Sequence, residues 1–447
     1  MAASVFDSQQ FTRLFPTAEV GKLFTDTAEV RAMMLVEGAL ARVQGNLGVI
    51  PETAAAFLHR ASMEIQVDPA GLADPTGVNG VSVPGLIAAM RKALEAPEHA
   101  QFLHWGATSQ DIMDTGQMLR IRQMLNHHES ALRETIRALG TMAAQHADMP
   151  MAARTYGQFA TGTSFGAVIA GWGAPLLGLL GEMNGLRERV LWVSLSGASG
   201  TGAALGAQAA QTRTELALAL GLHDPQRSWH SDRSPIMALA DWLTRLSVAL
   251  AKMGEDLTIM VQSGVGEVTL GGAGGSSTMP QKQNPVAPSA MVALARQSVG
   301  LNAILQGAGI HRQQRDGAAW FTEWLTLPQL CLSATSALIR AQELAGNIAP
   351  DRAAMVAPLD TGLGLIHAEA LSFRLAGSLP RPDAQAAIKT LCKQAMATDT
   401  PLKTLTAQAY PDIDTSDIFD PAQQMGHAPD DARAFAVLAQ AVSAMRS

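Results

Sequence analysis

Residues Asp111 to Ala147 read DIMDTGQMLRIRQMLNHHESALRETIRALGTMAAQHA. The helical period carries through the whole stretch and predicts one very long helix. Ala238 to Val265 predicts a second, opened by Pro235 near its first turn, and Pro288 to Gln306 and Leu325 to Ala345 follow the same pattern. In Val30 to Leu47, residues Met33, Val36, Ala39, Leu40 and Val43 form one apolar stripe, with Glu37 and Arg42 off it. Asn46-Leu-Gly48 followed by Pro51 gives that helix its stop. Helices of about 30 residues run about 45 Å each. Several of them on short connections imply a long, parallel-sided bundle. The expected fold is all-α, with a central bundle of long helices over 111–355. A smaller helical domain is expected at each end, over 1–110 and 356–447. Prolines at 350, 358, 380, 382, 401, 411 and 429 punctuate the C-terminal part.

Composition narrows the class. Of 447 residues, 47% are hydrophobic and 16% charged, against about 25% charged in ordinary soluble domains. So much apolar surface excludes a disordered or fibrous chain, and so little charge points to surface covered by partner subunits. A formal net charge of −7 favours neither nucleic acid nor an anionic membrane as partner. Cys331 and Cys392 form neither a disulfide framework nor a metal knuckle, which suits a reducing cytoplasm. Met1 to Phe11 lacks a basic segment followed by an apolar run, so no signal peptide is expected. Thr155 to Gly181 carries no charge. Its polar first half and Pro175 make it a helix buried in a bundle rather than a membrane span.

The clearest strand signal is Val190 to Ser196, VLWVSLS, running into Gly197-Ala-Ser-Gly200-Thr-Gly202. This resembles the opening of a dinucleotide fold, but no parallel sheet can be assembled from one strand, so no nucleotide cofactor is expected. Gly162-Thr-Ser-Phe-Gly166 matches a hydrolase pattern inside a predicted helix and is read as chance. His127 and His128 lie mid-helix and are read as a solvated face. No spacing resembles a metal site.

Gly271 to Pro285 reads GGAGGSSTMPQKQNP. Four glycines in the first five residues leave the backbone free, two hydroxyls follow at Ser276 and Ser277, and then come Lys282 and Asn284. A flexible loop bearing a hydroxyl, an ammonium and an amide suits closure over an anion; a glycine-rich surface turn has the same composition.

Gly275-Ser-Ser-Thr-Met-Pro-Gln-Lys-Gln-Asn-Pro285 resembles the signature loop of the fumarase/aspartase superfamily. His104-Trp-Gly-Ala-Thr-Ser-Gln-Asp111 is similar to the first of that superfamily's other shared regions. Arg154-Thr-Tyr-Gly-Gln-Phe-Ala-Thr-Gly-Thr-Ser-Phe-Gly166 is similar to the second. The resemblance implies that Ser276 transfers a proton beside a carboxylate while Lys282 and Asn284 steady the charge formed there. It implies that His104, Thr108, Ser109, Gln110, Tyr156, Thr161 and Arg315 contact substrate. It also implies a homotetramer whose active sites are shared between subunits, with no cofactor and no metal.

The departures from the superfamily pattern are informative. Tyr156 stands where the adenylosuccinate-type lyases carry a histidine that protonates a leaving nitrogen, and Gly77 to Pro84 lacks their other histidine. Gln314-Arg315, Trp320 and Glu323-Trp324 replace a phosphate-binding set, so a nucleotide phosphate would meet a carboxylate. A carboxylate nucleophile, with a pKa of about 4, needs no acid on its oxygen. With Trp229-His-Ser-Asp-Arg233 and Arg315 to Trp324, these features resemble the carboxymuconate cycloisomerases. The implied reaction is lactone formation from a small tricarboxylate. A lyase releasing fumarate from a succinyl adduct, and a non-catalytic helical scaffold, remain as alternatives.

Overall fold

The computed structural model describes residues 3–271, 274–275, 279 and 282–444. The helices that position the site are α1 (Asp26–Asn46), α2 (Glu52–Glu64), α3 (Val83–Leu94), α4 (Ser109–Gln145), α5 (Phe165–Gly181), α6 (Ala209–Leu220), α7 (Ser234–Met260), α8 (Val286–Ala308) and α9 (Gly317–Ala345). The fold is all-α. Among the described residues, strands form only three antiparallel pairs: β1 (Pro150–Thr155) with β2 (Gln158–Ser164), β3 (Val268–Leu270) with β6 (Ile348–Pro350), and β4 (Gly274–Gly275) with β5 (Gln283–Asn284).

The chain divides into two compact units. One comprises 1–131, 179–248 and 293–339, the other 132–178, 249–292 and 340–447. Both are built from lengths of the same long helices.

In the first unit, α4 buries Ile112, Thr115, Met118, Ile121, Leu125 and His128, three or four residues apart. Each buried aliphatic side chain contributes about 1.5–3 kcal/mol. On α7, Ile236, Leu239, Leu243 and Leu246 repeat the pattern beside the fully enclosed Trp242. The stripe expected on α1 is present but too narrow. Glu37, placed off it by the sequence, is 1% exposed. Among the middle residues of this helix, only Leu35 and Arg42 are exposed. The helix is enclosed on nearly every side, and Glu37 has a partner described below.

His128 is a second correction. It shares its face with Leu125 and Leu132, so the stripe carries it inside, where it is 1% exposed. Its Nε2 lies 2.8 Å from Thr335 Oγ1 and its ring stacks on Trp242 at 6.2 Å.

In the second unit, the uncharged stretch expected to be one helix from Thr155 is a β-hairpin followed by α5. Thr155 pairs with Gln158 across a two-residue loop, Tyr156-Gly157, in which both residues have positive φ (52° and 74°). That geometry matches the right-handed twist of a tight hairpin. No single helix among the described residues is long and apolar enough to cross a membrane. The later helices α10 (Arg352–Asp360), α11 (Ala368–Leu375), α12 (Arg381–Thr398), α13 (Leu402–Ala409) and α14 (Ala428–Ala444) complete this unit. Leu371, Leu375, Ile388, Leu391, Leu402 and Leu405 form one apolar cluster within it. Against α5, Phe435 of α14 sits so close that a Cβ on Gly173 would lie 2.1 Å from its ring.

Burial, with the nearby His127, pushes the His128 pKa down to about 3. Below its ordinary value of about 6.5 the unfolded chain takes up a proton that the folded chain refuses, so stability falls with pH over that range. The stability advantage of wild type over His128→Asn should therefore shrink by about 1.4 kcal/mol per pH unit between pH 6 and pH 4 in urea titrations. A constant difference would contradict a neutral buried imidazole.

Candidate active site

A reciprocal cap opens α4. The Asp111 N–H donates to the Thr108 carbonyl, and the Asp111 carboxylate accepts from the Thr108 N–H, each at 3.0 Å. The same fully buried carboxylate accepts from Ser194 Oγ (3.1 Å), the N–H groups of Ser196 and Gly197 (2.9 Å each) and His230 Nε2 (2.8 Å). The stretch predicted as a strand at 190–196 is therefore extended but belongs to no sheet. Its single bridge pairs Trp192 with His223. Gly197, with φ 71°, lets the chain turn where a Cβ would stand 3.3 Å from the Gly106 carbonyl oxygen.

This cap places Thr108, Ser109 and Gln110, three of the residues expected on the first motif. The side chains of Thr108 and Ser109 are partly exposed at the positive end of the α4 dipole, and their hydroxyls have no protein partner among the described residues. Gln110 is fully enclosed. Its Nε2 donates to the His230 carbonyl (2.9 Å) and its Oε1 accepts from Arg315 Nε (2.7 Å). Gln110 thus aims Arg315, one of whose terminal nitrogens is left without a partner.

His104 has a left-handed backbone, φ 65°. Its Nδ1 lies 2.6 Å from Glu37 Oε1, and its N–H donates to Glu37 Oε2 at 3.1 Å. Burial acts to lower the His104 pKa, but the Glu37 hydrogen bond and charge, helped by Asp111 and opposed by Arg91, raise it above the ordinary value.

The second unit holds the flap residues. Gly274 pairs with Asn284 and Gly275 with Gln283. Lys282 and Asn284 line one cavity of about 540 Å³ with Thr258, Gln262, Val268 and Leu270. Ser276 lies outside the described residues. Tyr156 and Thr161 do not line that cavity. Tyr156 stands fully exposed at the hairpin tip and Thr161 is exposed on β2. Arg154 forms a two-pronged pair with Glu267 at 2.7 and 2.9 Å, linking the hairpin to the residue before β3.

Two further expectations change. Ser164 of the Gly-x-Ser-x-Gly match sits where β2 meets α5, not inside a helix. Its hydroxyl is buried, donates to the Ala147 carbonyl and accepts from the Ala167 N–H, so it caps α5. Glu323 does not face a ligand. It is 1% exposed and pairs with Arg233 at 2.6 and 2.8 Å, while Asp114 takes that arginine's remaining prongs at 2.8 and 3.0 Å. The sequence gives no hint that Arg233 draws both carboxylates inward across 119 and 90 positions. Burial, reinforced by Asp114, raises the Glu323 pKa against the pull of Arg233. Beside them His311, its pKa lowered by burial and by Arg233, has both ring nitrogens unpartnered. No group of three or more candidate metal ligands occurs among the described residues.

The first unit thus presents hydroxyls at a helix N-terminus together with an arginine, and the second a cavity lined by a lysine and an amide. The pattern of a family described as lyase matches residues 19–300. A 3-carboxy-cis,cis-muconate cycloisomerase of Pseudomonas aeruginosa is 36% identical over 394 residues, covering 87% of this chain and 86% of that protein. One from Pseudomonas putida is 35% identical over 402 residues, covering 87% and 94%. The crystal structure of the 3-carboxy-cis,cis-muconate lactonizing enzyme from Pseudomonas putida matches with a TM-score of 0.91 at 32% identity, over 98% of this chain and 100% of that one. The chain belongs to the lyase family of the fumarase/aspartase superfamily.

Asp111→Asn puts an NH2 group among donors that need an acceptor. It should cost about 3 kcal/mol and expose the amides of Ser196 and Gly197 to hydrogen exchange. Protection equal to wild type at both amides would show that this carboxylate does not hold the loop.

Proposed function

We propose that this protein converts 3-carboxy-cis,cis-muconate to a carboxymuconolactone. The observation that carries the reading is the side chain at the hairpin tip. Tyr156 is exposed there and, by resemblance, stands where related lyases carry a leaving-group acid, while the hydroxyls at the α4 terminus and Lys282 remain. A site with carboxylate donors and no imidazole at that tip suits a nucleophile that is itself a carboxylate. Two relatives of matching length carry the name of that activity.

The geometry supports the following course. Thr108, Ser109 and Arg315 orient the substrate carboxylates, with Gln110 acting through Arg315. Asn284, Thr161 and His104 also contact substrate. One carboxylate oxygen bonds to the alkene carbon, and the π electrons move onto the carbon beside a second carboxylate. Lys282 steadies the resulting charge. Ser276 gives its proton to that carbon, and solvent restores it. A serine alkoxide is tolerable only beside a cation and backbone donors.

The active assembly is a homotetramer in the cytoplasm, each site drawing on more than one subunit. Apolar exposure on the described helices supports this: Val299 and Ile304 on α8 are about half exposed and Leu325 on α9 is 78% exposed. Tyr156 is fully exposed at the hairpin tip as well.

The test is loss of the conjugated diene's ultraviolet absorbance with carboxymuconate, run beside adenylosuccinate, argininosuccinate and other succinyl adducts monitored for fumarate. Turnover of carboxymuconate alone is expected. Ser276→Ala should lower kcat by about 10²–10⁴-fold with the native mass unchanged. Fumarate release from an adduct, or near-normal turnover by that variant, overturns the proposal.

A further inference from the structure

We infer that Glu37 is a positioning residue for the reaction: from inside α1 it orients His104 and presents the Nε2 of that ring to an anionic group of the substrate. The inference deepens the function proposed above and rests on its placing of His104 at the substrate.

The geometry is a two-point grip on one residue. One Glu37 oxygen takes the His104 N–H at 3.1 Å and the other lies 2.6 Å from Nδ1, so backbone and ring are fixed together. His104 needs such a hold, because its φ of 65° is a strained conformation for a side chain of that size. Two turns along the same helix, Gln44 Nε2 donates to the carbonyl of Trp105 at 2.7 Å. From α3, Arg91 donates to the carbonyls of Ala100 and Leu103, each at 3.3 Å. At its far end the loop is tied by the Asp111 cap at 3.0 Å. The anchoring leaves the ring partly open, with a side-chain exposure of 21%. Nε2 has no protein partner among the described residues.

The chemistry of Glu37 matters as much as its reach. An ionised carboxylate only accepts, so Nδ1 must carry a proton. If that were the ring's only proton, Nε2 would point a lone pair at an incoming carboxylate. With a second proton, Nε2 becomes a charged donor. Which state holds is set by the charges facing the ring: Glu37 on α1 and Asp111 on α4 favour the imidazolium, and Arg91 on α3 opposes it. Removing the Glu37 charge while keeping an acceptor oxygen should neutralise His104 without moving it. A buried carboxylate is costly to keep, and a purely structural tie could be made by an amide.

The test is Glu37→Gln. His104 is followed by NMR of ring-labelled histidine in the free protein, its signal assigned with His104→Gln. The expected result is a fall of at least one unit in the His104 titration midpoint. KM for carboxymuconate should rise about tenfold at neutral pH, and the pH at which wild-type KM begins to climb should move down by the same interval, with kcat changed less. A tie that is only structural would lower the melting temperature and leave that midpoint and the KM profile in place. An unchanged midpoint overturns the inference, and so does a shifted midpoint with an unshifted KM profile. If wild type does not act on carboxymuconate, the proposed function fails and this inference is read from the pH dependence of tricarballylate affinity in the two proteins. Identical affinity profiles then overturn it.

Discussion

A single carboxylate organises the first unit. Asp111 accepts from the backbone of its own helix cap, from two N–H groups and a hydroxyl on the 194–197 stretch, and from His230. Hydrogen bonds to an ionised acceptor contribute about 1.5–3 kcal/mol each, and a buried charge without them would be untenable. The arrangement therefore holds as a set. It fixes where α4 starts, and so where Thr108 and Ser109 point. Through the His230 carbonyl it fixes Gln110, and through Gln110 it aims Arg315.

A second layer of buried charge surrounds the first. Arg233, held between Asp114 and Glu323, joins α4, the start of α7 and α9. Glu37 joins α1 to the loop before α4. Pairs of this kind add little net stability compared with apolar packing, but breaking one leaves an uncompensated charge. Their effect is to allow few alternative seatings of the helices that carry the candidate site residues. In the second unit, the Arg154–Glu267 pair ties the hairpin to the strand leading into the flap.

The long helices were legible in the sequence because an apolar residue at every third or fourth position is a local signal that tertiary context seldom overrides. Stops such as Gly48, with its positive φ, were legible for the same reason. Failures fell where partners are distant. Val190 to Ser196 has strand composition, yet the Ser196 N–H and the Ser194 hydroxyl donate to a carboxylate some 80 positions away and the Ser194 N–H to Thr115. Thr155 to Gly181 looked helical because the two-residue turn at Tyr156 uses a tyrosine where glycine or asparagine would announce it. Glu37 and His128 looked solvent-facing and Glu323 ligand-facing because a charged or titratable residue is buried only against a partner. Those partners, His104, Thr335 and Arg233, lie 67, 207 and 90 residues off. Of the candidate site, the motif residues were readable from their own neighbourhoods, whereas the groups that aim them were not.

The Asp111 set also bears on the order in which the nascent chain can mature. Its acceptor is synthesised 119 residues before His230. At about 5–20 residues per second, ribosomes need about 6–24 s to cover that interval. Before residues 194–197 emerge the carboxylate has only its local cap, and the set closes only when His230 joins them. Completion of the cap that opens this helix is thus a late event in biosynthesis, set by the emergence of a distant histidine rather than by helix formation itself.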